Sequence, residues 1–504
     1  MQGACLRQYV SVRAPQEVLQ DLSFGQRVAE QELDRLAAYF VETSQWRRIV
    51  AGEVDIVYGQ KGAGKSAIYL LLLQHAAILS NNRVIVRAAE RPQGLPAFAE
   101  ILADPPETEG EWRALWRAYF VCLAAEVLSD ERIETEEARR VQSELERLNL
   151  ITGSGLEGVL RSARQFASRF KRVESIEGGV TTDPLTGALG ATAKLSLREA
   201  TQAGALEAAT RVNATTRDAN RALDAAGLSV WLALDRLDVA FEDSSVEREA
   251  LRALMRVYLD FQGHPRIRLK IFLRTDIWSR VTDSGFREAS HVVRTETISW
   301  SRDSMLDLIM RRLLENAAVA QFYEVEPSAV LETMASRESL FYRIFPKEVS
   351  GGSTPLPSLE WIVSRTRDAH GNTAPREVIH FMTALRDAQL KRHELGQPPP
   401  SDGRLFGSAA FRDALAEVSR TRVHQTLYAE SPKLKEFVRA LEGAPSAVFS
   451  FEQLAEAWRT PEDEAREITD ALIGVAFLAP QANDLYVVPY LYRPALNIGG
   501  HNGG

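Results

Sequence analysis

The stretch from Val54 to Leu73, VDIVYGQKGAGKSAIYLLLL, constrains the fold of this chain more than any other. It reads as a short buried strand, a glycine loop and the opening of an apolar helix. Gly59, Gly64, Lys65 and Ser66 stand at the spacing G-x-x-x-x-G-K-S, in the strand, loop and helix setting that a phosphate loop requires. Backbone N–H groups from Gln60 through Lys61, Gly62, Ala63 and Gly64 to Lys65, Ser66 and Ala67 can converge on a phosphate, with the positive end of the helix behind them. Glycine lets the chain curl round the anion where a Cβ would clash. Lys65 is placed for the β- and γ-phosphates and the Ser66 hydroxyl for Mg²⁺. The expected ligands are therefore a nucleoside triphosphate and Mg²⁺.

A length of 504 residues suggests about three domains. The 45% hydrophobic content excludes a disordered chain. Cys5 and Cys122 lie far apart and match no metal spacing, so free thiols and a cytoplasmic setting are expected. No apolar h-region opens the chain, and the run around Ile68–Leu73 is too short to span a bilayer, so no membrane role is expected. A net charge of −8 argues against a dedicated DNA-coating protein.

Residues 1–50 read as a helical approach segment, in which Leu22–Tyr39 and the following Phe40 place Leu33, Leu36, Ala37 and Phe40 in helical spacing. This helix and the following TSQWRRIVAG are expected to pack on the nucleotide core. The core itself covers 51–300, with a second strand at Arg83–Arg87 and an inserted, mostly helical region at about 95–226. Inside the insertion, Arg161, Arg164, Arg169, Lys171 and Arg172 form a basic stripe that reads first as a solvated face. Glu177–Lys194 reads as a mobile loop or exposed hairpin.

The second chemical feature is VWLALDRLD at Val230–Asp238. An apolar run ending in Asp235 is what a central strand delivering a carboxylate to Mg²⁺ looks like. Asp238 and Glu242 are candidates for the group that activates water, since Arg236 occupies the position beside Asp235. LKIFL at Leu269–Leu273 is a further strand, expected between the loop strand and the Asp235 strand, and it ends in Arg274. Arg274 is a candidate for γ-phosphate charge or for a plain strand-end ion pair. His291–Ile298 supplies a fifth strand. Helices dominate a lid at 301–396, where Arg376 opens a helix against its dipole and is a candidate to reach bound phosphate. GQPPPSDG at Gly396–Gly403 reads as a linker. At 404–498, two helices and a hairpin turning at Asn483-Asp484 suggest a winged helix. Its second helix carries Glu462, Asp463, Glu464, Glu467 and Asp470, which suits protein contact better than DNA.

GQKGAGKS, WLALDRLD, KIFLRTDIW, PREVIHFMTALRDA and YVVPYLYRPAL together resemble prokaryotic P-loop ATPases of the STAND, KAP and AAA+ lineages, within the additional-strand (ASCE) division; FGQRVAEQELDRLAAYF fits the same group. The resemblance covers most of the chain outside about 130–226. It implies an α/β core with a parallel sheet, a helical lid and a C-terminal winged helix, with Arg274 as a sensor-1-like and Arg376 as a sensor-2-like residue. It also implies self-association and a place in antiviral defence or conflict systems. The expected function is a Mg²⁺-dependent ATP switch acting on a protein effector. The alternatives are a nucleotide-gated scaffold with little turnover and an origin-recognition-like ATPase touching DNA or RNA. A P-loop kinase is disfavoured, because no phosphoryl-acceptor pocket is recognisable.

Overall fold

A computed structural model describes residues 14–74, 79, 83–90, 101–102, 105–150, 155–170, 189–237, 244–283, 285–349 and 355–499, with the backbone alone at 155, 170 and 189–206. Contacts divide the chain into two compact units: Ser44–Gln60 with Lys65–Ile298, and Met1–Thr43 with Lys61–Gly64 and Ser299–Gly504.

The first unit is built on a parallel five-stranded sheet in the order β2-β3-β4-β1-β5. The strands are β1 (Ile56–Gly59), β2 (Val84–Ala88), β3 (Ser229–Leu234), β4 (Ile267–Arg274) and β5 (Thr295–Thr297). Continuous apolar runs such as those of β1 and β3 bury both faces, as a strand covered by helices on each side must. β4 lies between the loop strand and the Asp235 strand, as the sequence led one to expect. Register is pinned near the amino ends of the strands. Asp55 is buried and receives Arg268 at 2.8 Å, Lys270 at 3.1 Å and Arg294 at 2.8 Å, tying together the amino ends of β1, β4 and β5. Lys270 is 1% exposed, and its ammonium sits 4.1 Å from the Trp231 ring centroid. Burial pulls its pKa below the ordinary lysine value, against the opposing pull of Asp55.

The inserted region forms helices Glu109–Asp130, Glu136–Arg147, Gly155–Ala167 and Leu189–Ala226. Trp112, Trp116, Tyr119 and Phe120 share one apolar core with Val230, Leu232 and Ile267 of the sheet, so these helices complete the unit. Thr108 and Glu111 form a reciprocal capping box that starts the first of them. The loop expected at Glu177–Lys194 is not what the described part shows. Residues 177–188 lie outside the described residues, but from Leu189 the chain is already in a 38-residue helix. Its long run of Ala, Leu, Arg and Glu favours helix and overrides the local glycine and threonine signal. Of the basic stripe, Arg161 and Arg169 are exposed and Arg164 is half-buried; 171 and 172 lie outside the described residues.

In the second unit the helix expected over Leu22–Tyr39 is absent. Only a 3₁₀ turn at Ala29–Gln31 and a single α-helical turn at Leu36–Tyr39 form. The physical reason is Glu32, whose carboxylate is buried in a two-pronged pair with Arg312 at 2.9 and 2.8 Å, while the guanidinium also covers the Tyr39 ring. Nor does the approach segment pack wholly on the nucleotide core: Val18, Leu19, Leu22 and Phe24 are buried in one core with Met305, Ile309 and Leu313. That core runs on through helices Arg302–Leu314, Ser358–Arg365, Pro375–Glu394 and Ser408–Thr421. The linker at 396–403 is a loop, yet the chain on its two sides is not separate, since Phe345 stacks on Phe406 at 4.9 Å. A small antiparallel pair, β6 (Glu348–Val349) and β7 (Leu356–Pro357), edges this region. Beyond it lies a three-stranded antiparallel sheet, β8-β10-β9, of Val448–Ser450, Leu485–Val487 and Ala479–Gln481. Helices Phe451–Trp458 and Glu462–Gly474 lie between β8 and β9, and Asn483 and Asp484 both take left-handed backbone at the hairpin. The five acids of the second helix are all exposed. No described helix is long and apolar enough to cross a membrane.

Candidate functional site

β1 ends at Gly59, and the helix Lys65–Gln74 begins six residues later. The loop between them turns at Gly62 (φ +80°) and Gly64 (φ +103°), two left-handed positions that a side chain would strain. Gly62 also lacks room, because a Cβ there would come within 2.9 Å of Arg376 Cβ. Ala63 is held from outside the motif, its carbonyl accepting the Trp300 indole N–H at 2.9 Å. Lys61 is ion-paired with Glu430. Lys65 is 8% exposed and donates to the carbonyls of Gly59 (2.9 Å) and Gln60 (3.1 Å), which draws the ammonium across the loop it must serve. Ser66 lies in the first turn of the helix, where backbone N–H groups have no carbonyl partner in the helix itself.

Asp235 follows β3 directly and is 2% exposed. It lies at the carboxyl edge of the sheet, the edge where ligands bind in such folds. Arg236 after it takes left-handed backbone (φ +59°), so the chain turns sharply where a second acid would otherwise stand. Asp238 and Glu242 lie outside the described residues.

Arg274 closes β4 and is the register partner of Gly59, which puts it beside the first loop residue. Its guanidinium is gripped in a two-pronged pair by Asp276, at 3.0 and 2.7 Å. Burial pushes the Asp276 carboxyl up, but the hydrogen bonds and charge of Arg274 outweigh this and hold it below its ordinary value. Of the two alternatives weighed for Arg274, γ-phosphate charge or a plain strand-end ion pair, the ion pair is present.

Arg376 sits in the first turn of the helix Pro375–Glu394 and donates to the Arg27 carbonyl at 3.4 Å. It lines a cavity of about 180 Å³ with Arg27, Lys61, His380, Arg422 and Thr426. Arg422 begins a π-helical turn, Arg422–Leu427, and is ion-paired with Glu377 at 3.2 Å. Trp300, Arg27 and the Glu430 partner of Lys61 escaped the sequence reading. Each acts across more than two hundred residues or from a segment with no motif, so no local spacing announces it.

No family model matches the chain, and no curated protein matches it. Among solved structures it is similar to the Walker-type ATPase PABY2304 of Pyrococcus abyssi, at 10% identity and a TM-score of 0.41, over 94% of this chain and 98% of that one. It is also similar to Cdc6p from Pyrobaculum aerophilum, at 12% identity and a TM-score of 0.28, over 90% of this chain and 92% of that one. Overlaps this loose carry no weight beside the strand order and the loop itself. With β4 inserted between the loop strand and the Asp235 strand, the core has the α/β fold of a P-loop NTPase core of the additional-strand type.

Proposed function

We propose that the chain binds Mg²⁺–ATP at Gly59–Ser66 and hydrolyses it as a conformational switch. The observation that carries this is Lys65, buried and bound to the Gly59 and Gln60 carbonyls in a loop whose turns require Gly62 and Gly64. On binding, the ammonium would exchange these carbonyls for phosphate oxygens. Among the described residues no group of three or more His, Cys, Asp or Glu is placed to hold a metal ion. A cation held by two protein oxygens, from Ser66 and Asp235, and otherwise by phosphate and water suits Mg²⁺. When bound, Mg²⁺ neutralises charge on the phosphate oxygens. Lys65→Ala should lower ATP turnover by about 10²-fold or more and weaken binding. Unchanged turnover in that variant, measured as phosphate release, would refute the assignment.

Arg376 packing on Gly62 supports its assignment as the residue through which the 301–396 helices respond to nucleotide. Arg274 keeps its sensor-like assignment through its place beside Gly59. The helix, helix and hairpin order at 404–498 supports the winged-helix reading, and the exposed acids of the second helix favour a protein partner over nucleic acid. Self-association and a defence role rest on the resemblance alone; mass measurement with and without nucleotide tests the former. A second reading, a nucleotide-gated scaffold with little turnover, is favoured by one feature: Arg236 stands beside Asp235 where a catalytic acid would be expected. Steady-state phosphate release in the presence and absence of DNA or RNA separates the two.

A further inference from the structure

The sharp turn at Arg236 leaves the hydrolysis reading without a carboxylate next to Asp235, but the neighbouring strand supplies one. β2 and β3 run parallel, with Ala88 opposite Ala233. The ladder continues past the end of β2, where the Ala89 N–H donates to the Ala233 carbonyl at 2.8 Å. The chain then bends at Ala89 and Glu90, so Glu90 leaves the sheet two residues past β2, at the same edge where Asp235 follows β3. Glu90 is 1% exposed. Asp235 is likewise buried, at 2% exposed. They stand at the carboxyl edge of the sheet, where the phosphate loop is.

A third group ties the pair to the loop. Tyr69 lies four residues after Lys65 in the same helix, hence on the same face. Its hydroxyl donates to the Glu90 carbonyl at 2.9 Å. Burial, and then the negative charges of Asp235 and Glu90, hold that hydroxyl well above its usual range, with Arg236 pulling the other way. Glu90 is thus tied through its backbone carbonyl to a residue one helical turn from the loop lysine.

We infer that Glu90 is the general base of hydrolysis, taking the role that Asp238 or Glu242 would otherwise fill. This rests on the ATPase reading above. In the step, an O–H bond of water breaks and its proton passes to a Glu90 carboxylate oxygen. The water oxygen bonds to the γ-phosphorus, and the bond from that phosphorus to the β,γ-bridging oxygen breaks. Its electron pair leaves with the nucleoside diphosphate. Asp235 stays ionised as the carboxylate for Mg²⁺, so two neighbouring acids divide two tasks.

The test compares wild type, Lys65→Ala, Glu90→Gln and Asp238→Asn in full-length protein. Readouts are affinity for Mg²⁺–ATP, single-turnover hydrolysis, and the identity of nucleotide that stays bound. Glu90→Gln should bind within about threefold of wild type, keep its nucleotide as ATP, and hydrolyse about 10²–10⁴-fold more slowly. Glu90→Gln turning over within about threefold of wild type overturns the inference, as does losing binding and hydrolysis together. If Glu90→Gln fails to fold, Glu90→Asp decides: intact binding with slowed hydrolysis supports the inference, and normal hydrolysis or a second failure to fold overturns it. A stall in Asp238→Asn with normal Glu90→Gln reassigns the base to Asp238. A wild type that hydrolyses no ATP, or turnover that survives in Lys65→Ala, removes the ATPase reading and this inference with it.

Discussion

The two arginines proposed to meet the γ-phosphate are held in different ways, and this sets how each can act. Arg274 is gripped at both ends of its guanidinium by Asp276, two residues away, so moving toward phosphate would exchange one anion for another. Among the described residues Arg376 has a single long bond, to a carbonyl, and lies against Gly62, which leaves its guanidinium less committed. His380, one turn along the same helix, lines the same cavity. Burial lowers its pKa below the ordinary 6.5, and Arg27 lowers it further, while Glu377 and Glu417 act in the opposite direction. The unfolded chain therefore takes up this proton at a higher pH than the folded one, so stability falls as the pH drops through 6.5 toward the folded value. His380→Gln should flatten this dependence, measured as denaturant midpoints at about pH 7.5 and 5.5. An equal loss in both proteins would show that other groups carry it. At this scale the loop residues were legible because phosphate chemistry fixes their identity and spacing. Trp300 and Arg27 were not, because each is defined only by a partner brought close by the fold.

Strands proved easier to read than helices that lean on distant charges. β1, β3 and β4 are apolar runs whose burial on both faces leaves little alternative, and the chain obeys them. Leu22–Tyr39 shows the opposite case. Its leucines and alanines are spaced for a helix, but a continuous helix there competes with the buried pairing of Glu32 to Arg312. Arg312 is 5% exposed, so losing Glu32 would strand a charge away from water. Glu32→Gln should therefore cost about 3–5 kcal/mol, read from urea denaturation. Replacing both partners, as Glu32→Leu with Arg312→Met, should recover most of that loss, because apolar packing avoids the desolvation of two ions. A double variant no more stable than the single one would show that the pair also serves backbone geometry. The long helix from Leu189 makes a related point, since glycine and threonine at its start mark a loop only if the residues beyond do not continue a helix.

The composition of GQPPPSDG suggested a joint between two bodies, yet a linker says nothing of what its flanks bury. Phe345 before the loop stacks on Phe406 after it, and Phe411 packs against both Trp361 and Phe381. All five rings are within the core, at 3% exposure or less. Each such side chain contributes about 1.5–3 kcal/mol when removed from water, so a handful of them matches the stability of an ordinary domain. Neither flank can expose its half of this core without losing most of what folds it. A protease site placed between Gln397 and Ser401 should therefore be cut without separating the pieces. The two fragments should co-elute in native size exclusion and part only in denaturant, with residues 302–394 and 405–498 losing structure in the same transition. Fragments that separate in native buffer, each keeping its far-ultraviolet signal, would show instead two domains in contact. Continuous packing also bears on the switch. If helices carrying Arg376 respond to nucleotide, the shared core obliges the acidic helix Glu462–Gly474 to respond with them, which gives a signal at the loop a rigid route to a partner.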